Sequence, residues 1–254
     1  MLGYHTIKLM FFNFYIRLVL TDGKVWLKLM TRPWLHFRTI TKHRHNVIIH
    51  CWKAGILWRG LIHDLSKYSP AEFIRSARFY VGHHSPIVEE RKTFGFSKAW
   101  LNHKGRNKHH LEYWTDYCLK TKTLVGVQMP IKYFVEMICD RMAASKTYNG
   151  DAYTDASPLE YHERIGHANI IHSTTDVLLQ HALTLLANEG EDALFAWLRE
   201  LLRMDRVKRR QNGFLSKLKR RFKLKPNRRS EPELLWDLNL LYCDLKPCTQ
   251  NSIE

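Results

Sequence analysis

A histidine and an aspartate stand side by side at His63-Asp64, within an otherwise apolar segment over residues 57–65. The spacing of the apolar residues predicts a helix there and places the pair inside it. A buried carboxylate beside a buried imidazole is costly unless each is hydrogen-bonded or bound to a metal ion. Adjacent residues on a helix diverge by about 100°, so both side chains reach one ion only if it lies against the helix side. The pair is a candidate metal site, with a hydrogen-bonded core pair as the alternative.

Other histidines and one aspartate extend this candidate to a larger ligand set. His43 lies four residues before Val47 on the preceding predicted helix, and Asp140 lies in a long predicted helix that follows Pro130. The remaining candidates are His103, His109 and His110. Imidazole and carboxylate without thiolate suit a divalent transition metal such as Mn, Fe, Co, Ni or Zn. We expect these side chains to converge from separate helices on a mono- or dinuclear metal centre.

Each added candidate also has a simpler interpretation. Asp140 can pair with Arg141 or Lys132, and His103 and His110 can be ordinary surface histidines near basic residues. Spacing alone does not distinguish His43 from two neighbouring histidines, and three others are interpreted as structural. The alternatives to His43 are His45 and His50, and the structural histidines are His83, His84 and His172.

Two basic residues near the candidate ligands, Lys67 and Arg106, are candidates for holding a substrate phosphate. A guanidinium suits bidentate phosphate contacts, although a solvated surface charge is the alternative for both residues. Glu72 ends the sequence Ser69-Pro70-Ala71-Glu72, which has the pattern of a helix capping box with proline at the first helical position. We therefore interpret Glu72 as a capping residue rather than as a general base.

The elements that must position these residues are predicted to be helices throughout, so the fold class is all-α. Apolar residues recur at helical spacing from Val47 to Leu57, and the capping box predicts a helix over residues 70–82. Short helices are expected after Ser97 and after Asn107, the latter with Leu111, Trp114 and Cys118.

Further helices are predicted in the second half of the chain. Pro130 precedes one that carries Phe134, Ile138 and Met142 on one face. Another starts at Ser173 and ends near Gly190, and a third continues towards Arg206. We expect loops at residues 83–96 and 147–157 and no strand of useful length.

Composition divides the chain into four segments. Residues 1–33 form an N-terminal extension whose apolar run, Leu9–Leu20, is too short and too polar to span a bilayer. Its alternatives are a docked amphipathic helix or an extension that precedes a true start at Met30. Residues 34–205 form the helical domain, and residues 230–254 form a tail in which 231–245 is a candidate last helix.

The remaining segment, residues 206–229, is a basic arm. It contains twelve basic residues and no acidic one, which supplies +12 of the formal net charge of +16. Such an arm is a candidate for binding nucleic acid or an anionic membrane, with a solvated helix face as the alternative. Five cysteines at no paired spacing argue against a disulfide framework and indicate a reducing compartment, so we expect a cytoplasmic protein.

The order of the candidate ligands resembles that of the HD-domain superfamily of metal-dependent phosphohydrolases. The segments that carry the resemblance are His43 with Val47, His63-Asp64-Leu65-Ser66-Lys67, and Asn107-Lys108-His109-His110 with Tyr113-Trp114. More narrowly, the chain resembles an uncharacterised bacterial and phage domain family with HDLSK and NKHHxxYW motifs. The resemblance covers residues 34–180 and implies an HD-domain-like helical bundle.

The resemblance also implies roles for individual residues. The core ligands would be His43, His63, Asp64 and Asp140, with Asp64 bridging two metal ions. His103 and one of His109 or His110 match the additional ligands of dinuclear members. His110 shares a predicted helix face with Trp114, so we favour it over His109.

The function implied is a metal-dependent phosphohydrolase that acts on a nucleotide or another small phosphorylated compound. Asp64 would orient or deprotonate the attacking water, and Lys67 or Arg106 would hold the phosphate. Two alternatives remain open. One is a di-iron oxygenase with the same fold, and the other is a nucleic-acid-binding protein with a structural metal.

Overall fold

The computed structural model describes residues 23–165 and 170–221, and these residues confirm the all-α class. The α-helices are α1 (Gly23–Lys53), α2 (Leu57–Ile62), α3 (Pro70–Arg78), α4 (Pro86–Phe94), α5 (Lys98–Lys104), α6 (Ile131–Asn149), α7 (Ser157–Ile165) and α8 (Ser173–Arg221). Short 3-10 turns cover Leu65–Tyr68, Leu111–Tyr113 and Gly150–Ala152. One antiparallel hairpin pairs β1 (Thr115–Cys118) with β2 (Thr123–Gly126).

Helix α6 is the central element of the described domain. It packs along α1, which also contacts α2 and α3, and α3 in turn contacts α4 and α5. The predicted apolar face of α6 is confirmed, because Phe134, Ile138 and Met142 are fully buried. From α1, Val47 and Cys51 are buried with them. This buried contact fixes α1 and α6 against each other, so the two helices form a rigid support for the polar residues on their other faces.

The sequence also predicted the interruption of the last long helix. Gly190 in α8 has φ 81° and ψ −176°, a backbone conformation outside the helical region that glycine adopts readily. Before this break, Leu179, Leu183 and Leu186 are fully buried, and after it Leu194 is buried as well. The part of α8 before this break and the part after it therefore each have a buried apolar face.

Four expectations about the elements were wrong. Residues 83–96 contain helix α4 rather than a loop, and the helix expected after Asn107 is a turn followed by the hairpin. The same hairpin contradicts the expectation that the chain has no strand of useful length. Helix α6 also extends to Asn149, into the polar loop that the sequence predicted.

The chain divides into two compact units, residues 1–200 and 201–254. Helix α1 begins at Gly23, before the boundary at residue 34 that the sequence suggested. The first part of the basic arm, up to Arg221, is helical. The apolar run at 9–20 and the candidate helix at 231–245 lie outside the described residues. Within the described residues, no helix combines the length and apolar character that crossing a membrane requires.

Candidate metal centre

His63 and Asp64 lie at a helix end and not, as the sequence predicted, inside a helix. Helix α2 stops at Ile62, His63 is extended, and Asp64 takes a left-handed conformation with φ 51° and ψ 28°. Aspartate tolerates this conformation better than most residues. Because neither residue is helical, their side chains do not diverge by the angle of about 100° that separates neighbours on a helix. His63 Nε2 lies within 3.2 Å of Asp64 Oδ2. The guanidinium of Arg44 anchors the break by donating to the carbonyls of Leu61 and His63.

A first group of candidate ligands combines this break with α1 and α6. Its members are His43, His63, Asp64 and Asp140, and their ligand atoms lie within 4.8 Å of one another. His43 Nε2 is 3.0 Å from Asp140 Oδ1, and His63 Nε2 is 3.4 Å from the same oxygen. Two imidazoles and two carboxylates therefore converge from three elements.

A second group shares Asp64 with the first. Its members are Asp64, His103, His109 and His110, again within 4.8 Å. His103 Nε2 lies 3.3 Å from Asp64 Oδ1, and His109 Nε2 lies 3.4 Å from that same atom. Since Oδ2 of Asp64 contacts His63, the two carboxylate oxygens face different groups. The arrangement is able to hold two ions with Asp64 between them.

The structure thus brings all seven predicted ligand residues together in two groups. Both His109 and His110 belong to the second group, and His109, the less favoured of the two, is the one in contact with Asp64. His45 is exposed, and His50 is hydrogen-bonded to the Cys139 carbonyl, so neither replaces His43.

The outer nitrogens of three histidines are held by carboxylates that the sequence analysis did not assign to the site. Glu136 accepts from His63 Nδ1 at 3.1 Å and contacts His109 Nδ1 at 3.3 Å. Glu72 accepts from His103 Nδ1 at 2.8 Å. A proton on Nδ1 leaves the Nε2 lone pair of each ring directed at the centre, which is the arrangement found around metal-bound histidines.

Glu72 is therefore not the capping residue that the sequence predicted. Its side chain is buried and accepts hydrogen bonds from His103 and from the Ser66 hydroxyl. Ser69 does occupy the N-cap position of α3, but its side chain makes no capping hydrogen bond. The capping-box pattern placed the helix start correctly and gave its glutamate the wrong partner.

The inward-facing atoms of this cluster fit a metal ion. Several buried polar atoms in the described residues have no hydrogen-bond partner, and most of them belong here: the Nε2 atoms of His43, His63, His103, His109 and His110, and Oδ1 of Asp64, whose Oδ2 is paired with Lys67. Each such atom costs about 1–3 kcal/mol when it stays unsatisfied. Cations coordinated by these atoms would remove that cost, and nitrogen and oxygen donors suit divalent transition metals.

Charges around the cluster keep its carboxylates ionised. Burial would raise the pKa of Asp64, but His63 and Lys67 hold that pKa well below its usual range. Burial likewise acts to raise the pKa of Asp140, and hydrogen bonds from His43 and His63 outweigh it, so this pKa is also low. Ionised carboxylates are the form that binds cations.

The pKa values of the histidines in this cluster are shifted in different directions, and the direction does not follow the division into two groups. Burial would lower the pKa of His63, but Asp64, Asp140 and Glu136 raise that pKa well above its usual value. The pKa of His110 is far below its usual value because the ring is buried beside His109 and His103. Metal ions and protons therefore compete for Nε2 of His63, whereas His110 presents a neutral ligand.

Lys67 and Arg106, the two predicted phosphate-binding residues, lie in different places. Lys67 Nζ is 2.6 Å from Asp64 Oδ2, at the edge of the first group. Arg106 is exposed and lines a cleft of about 220 Å³ on the outer side of Glu136. The structure therefore brings Lys67, but not Arg106, to the candidate ligands.

Glu136 and Arg59 are the principal residues that sequence reasoning missed. Arg59 donates to Glu136 through Nε at 2.8 Å, and so it fixes the carboxylate that holds His63. Both carried a spacing signal, because Glu136 lies one helical turn before Asp140 and Arg59 one turn before His63. Asn107 similarly lies four residues after His103 and donates to its carbonyl at 2.9 Å.

The comparisons with known proteins define the family. A model described as a family of unknown function, DUF5662, matches residues 32–185, more than half of the chain, so the chain belongs to that family. The matched range contains both groups of candidate ligands together with Glu72 and Glu136. No curated protein and no solved structure matches the chain.

Proposed function

We propose that the chain is a metal-dependent phosphohydrolase of the HD-domain type that acts on a nucleotide or another small phosphorylated compound. The observation that carries this proposal is the pair of ligand groups that share Asp64. Two cations placed on either side of one carboxylate are typical of sites that displace a phosphoryl group in line. The resemblance of the histidine and aspartate motifs to the HD-domain superfamily supports the same class.

The donor set limits the choice of metal. The two groups offer imidazole nitrogens and carboxylate oxygens, and no thiolate takes part. We propose Mn, Fe, Co, Ni or Zn on this chemistry. Divalent ions held by these residues would lower the pKa of bound water and polarise a phosphoryl oxygen.

The chain's own residues would orient and stabilise the reacting groups. Asp64 has ionised oxygens facing both groups, so it can accept a hydrogen bond from the attacking water and fix the water's direction. Glu136 and Glu72 hold the imidazoles of His63, His109 and His103, and this rigidity keeps the ligand geometry productive.

Lys67 is the residue best placed to hold the transferred phosphate. Its ammonium lies against Asp64, and although burial acts to lower the pKa of Lys67, Asp64 and Asp140 raise it above its usual range. The amine therefore stays protonated throughout the physiological range. Its side chain is 28% exposed, whereas that of Asp64 beside it is only 2% exposed, so Lys67 remains accessible to a ligand from solvent.

The proposal is tested with nucleoside phosphates and nitrophenyl phosphate esters, assayed with Mn, Co and Ni in the absence of oxygen and reductant. We expect turnover by the full chain and loss of both metal and activity in His63→Ala and Asp64→Ala. Lys67→Ala should keep the metal and lower kcat or raise KM. Lys98→Ala, which removes an exposed lysine on α5, is the matched control and should behave like the unmodified chain.

Other outcomes would replace the proposal. Iron-dependent oxygen consumption without any phosphoester turnover would show a di-iron oxygenase. Tightly held metal without turnover in either assay would show a structural metal.

A further inference from the structure

A cleft of about 220 Å³ lies behind the candidate metal centre, on the side away from the inward-facing nitrogens. Its walls come from α2, from the turn after α5 and from α6. The lining residues are Arg59, Ile62, Arg106, Asn107, Lys108, Tyr133 and Glu136. The cleft is therefore built from the same segments that hold the candidate ligands, although it contains none of the ligand atoms of the two groups that share Asp64.

The charges of the cleft do not balance. Glu136 is its one carboxylate, and this carboxylate already accepts from Arg59 at 2.8 Å and from His63 at 3.1 Å. The remaining cations are Arg106 and Lys108. In the described part of the chain, no carboxylate lies within 4 Å of either of them. Two positive charges thus remain uncompensated in one concave site.

The arrangement of the walls favours a compact anion attached to an organic group. Lys108 lies 5.9 Å from the centre of the Tyr133 ring, and Arg59 lies 4.7 Å from it, so cations and an aromatic surface stand together. Ile62 supplies an apolar wall. A guanidinium offers a bidentate fork for phosphate, and a nearby ammonium adds a point charge.

We propose that this cleft binds the phosphate group of a small organic phosphate, with Arg106 and Lys108 as its principal contacts. A phosphate dianion carries the two negative charges that would compensate these two cations. The cleft is separate from the candidate metal centre, and binding does not require hydrolysis. A failure of the phosphohydrolase proposal therefore leaves this proposal standing, and the reverse also holds.

The test measures phosphate binding to the metal-free full chain by calorimetry, with inorganic phosphate and with phenyl phosphate as probes. Chelation of metal removes any contribution from ions at the centre. We expect saturable binding that weakens about tenfold in Arg106→Gln and again in Lys108→Gln, since each loses a charge-assisted contact. Phenyl phosphate should bind more tightly than inorganic phosphate, because its ring adds contact with Tyr133 and Ile62.

Two control variants separate this cleft from other cationic surfaces. Lys98→Gln removes an exposed lysine outside the cleft and should leave affinity unchanged. Arg91→Gln removes an exposed cation on α4, also outside the cleft, and should leave affinity unchanged as well. The proposal is overturned if phosphate fails to bind, if Lys98→Gln or Arg91→Gln weakens binding as much as Arg106→Gln does, or if Arg106→Gln and Lys108→Gln bind like the unmodified chain. Both residues are exposed, so their replacement should not unfold the protein.

Discussion

Asp64 is the residue on which the two ligand groups depend, since one oxygen faces each of them. In Asp64→Asn the amide keeps a similar shape but loses the negative charge and one acceptor. We expect affinity for divalent metal to fall more than about 100-fold in both groups, because a shared anionic ligand is lost. Metal content after dialysis measures this. Asp116→Asn, at an exposed position in the hairpin, is the control and should retain full metal content.

Glu136 and Glu72 allow the two groups to be examined separately. Glu136 holds His63 of the first group and His109 of the second, whereas Glu72 holds only His103 of the second. Glu136→Gln should weaken binding of both ions about 10–100-fold, and Glu72→Gln should weaken one of them. Calorimetric titration with Mn²⁺ or Co²⁺ resolves the two steps. Equal effects of the two variants on both steps would contradict the division into groups.

The burial of His50 should make the stability of the fold depend on pH, independently of the candidate metal centre. Burial lowers the pKa of His50 from 6.5 to about 4, against the opposing effect of its hydrogen bond to the Cys139 carbonyl, and Lys146 lies 3.3 Å from its Nε2. The folded state therefore prefers neutral His50. Its contribution is complete above pH 6.5 and is lost as the pH falls towards 4.

The size of this effect follows from the same pKa difference. At about 1.4 kcal/mol per pH unit, the loss amounts to about 3 kcal/mol. His50→Asn should flatten the decline of the unfolding free energy between pH 6.5 and 4, measured in urea with a chelator present. The exposed His83 serves as the control, because His83→Asn should keep the slope of the unmodified chain.

At the level of elements, the sequence predicted best where apolar periodicity was strong. Helix α6 and the break in α8 follow directly from apolar spacing and from Gly190. Helix α4 was missed because few of its residues are buried, so it lacks a periodic apolar face. Its ends nevertheless carried signals: Ser85 and Pro86 at the start, and Gly95 with φ 77° at the end.

The sequence predicted which histidines and aspartates come together in the candidate site, but it did not predict the glutamates that hold three of those histidines. Histidine and aspartate in that order are informative because their burial is costly without a partner. Glutamates such as Glu72 and Glu136 have many ordinary roles, and their partners on other elements are distant in sequence. The sequence also did not predict the left-handed backbone conformation of Asp64, because the apolar residues around it favour an uninterrupted helix.

Gly60 sets the distance between α1 and α2, and therefore the position of His63. A Cβ at this residue would lie 2.8 Å from Cys51 Cβ and 3.0 Å from Ile48 Cα. Both distances are shorter than normal contacts, and the backbone atom of Ile48 moves only if α1 itself shifts. Gly60→Ala should lower the unfolding free energy by about 1–3 kcal/mol and weaken metal binding as α2 shifts. Denaturant unfolding and metal titration check both. Gly105→Ala, whose Cβ meets only ordinary contacts, should change neither.

Across the whole molecule, the candidate ligands come from segments far apart in sequence. Helices α1, α5 and α6 each supply one or more of them, and the break after α2 and the turn after α5 supply the rest. Metal binding would therefore tie together most of the unit formed by residues 1–200. Since a ligand that binds only the folded state stabilises it by mass action, metal should raise the unfolding temperature of the full chain.

The unit formed by residues 201–254 carries the basic arm and none of the candidate ligands. A chain that ends at Asp205 should keep its metal content, because every member of both groups precedes residue 141. The same chain should lose affinity for polyanions, since it lacks the twelve basic residues of 206–229. Filter binding to single- and double-stranded DNA, RNA and anionic vesicles measures this loss.

Salt provides the second measurement on the arm. Binding of the full chain should weaken steeply as salt rises, because each phosphate contact releases counterions. Replacement of Arg206, Lys208, Arg209 and Arg210 by glutamine should reduce that slope and leave metal content unchanged. Arg91→Gln, at an exposed position on α4, is the control and should preserve the slope. If the chain ending at Asp205 binds nucleic acid and vesicles as well as the full chain does, the arm is a solvated helix face and the polyanions bind elsewhere.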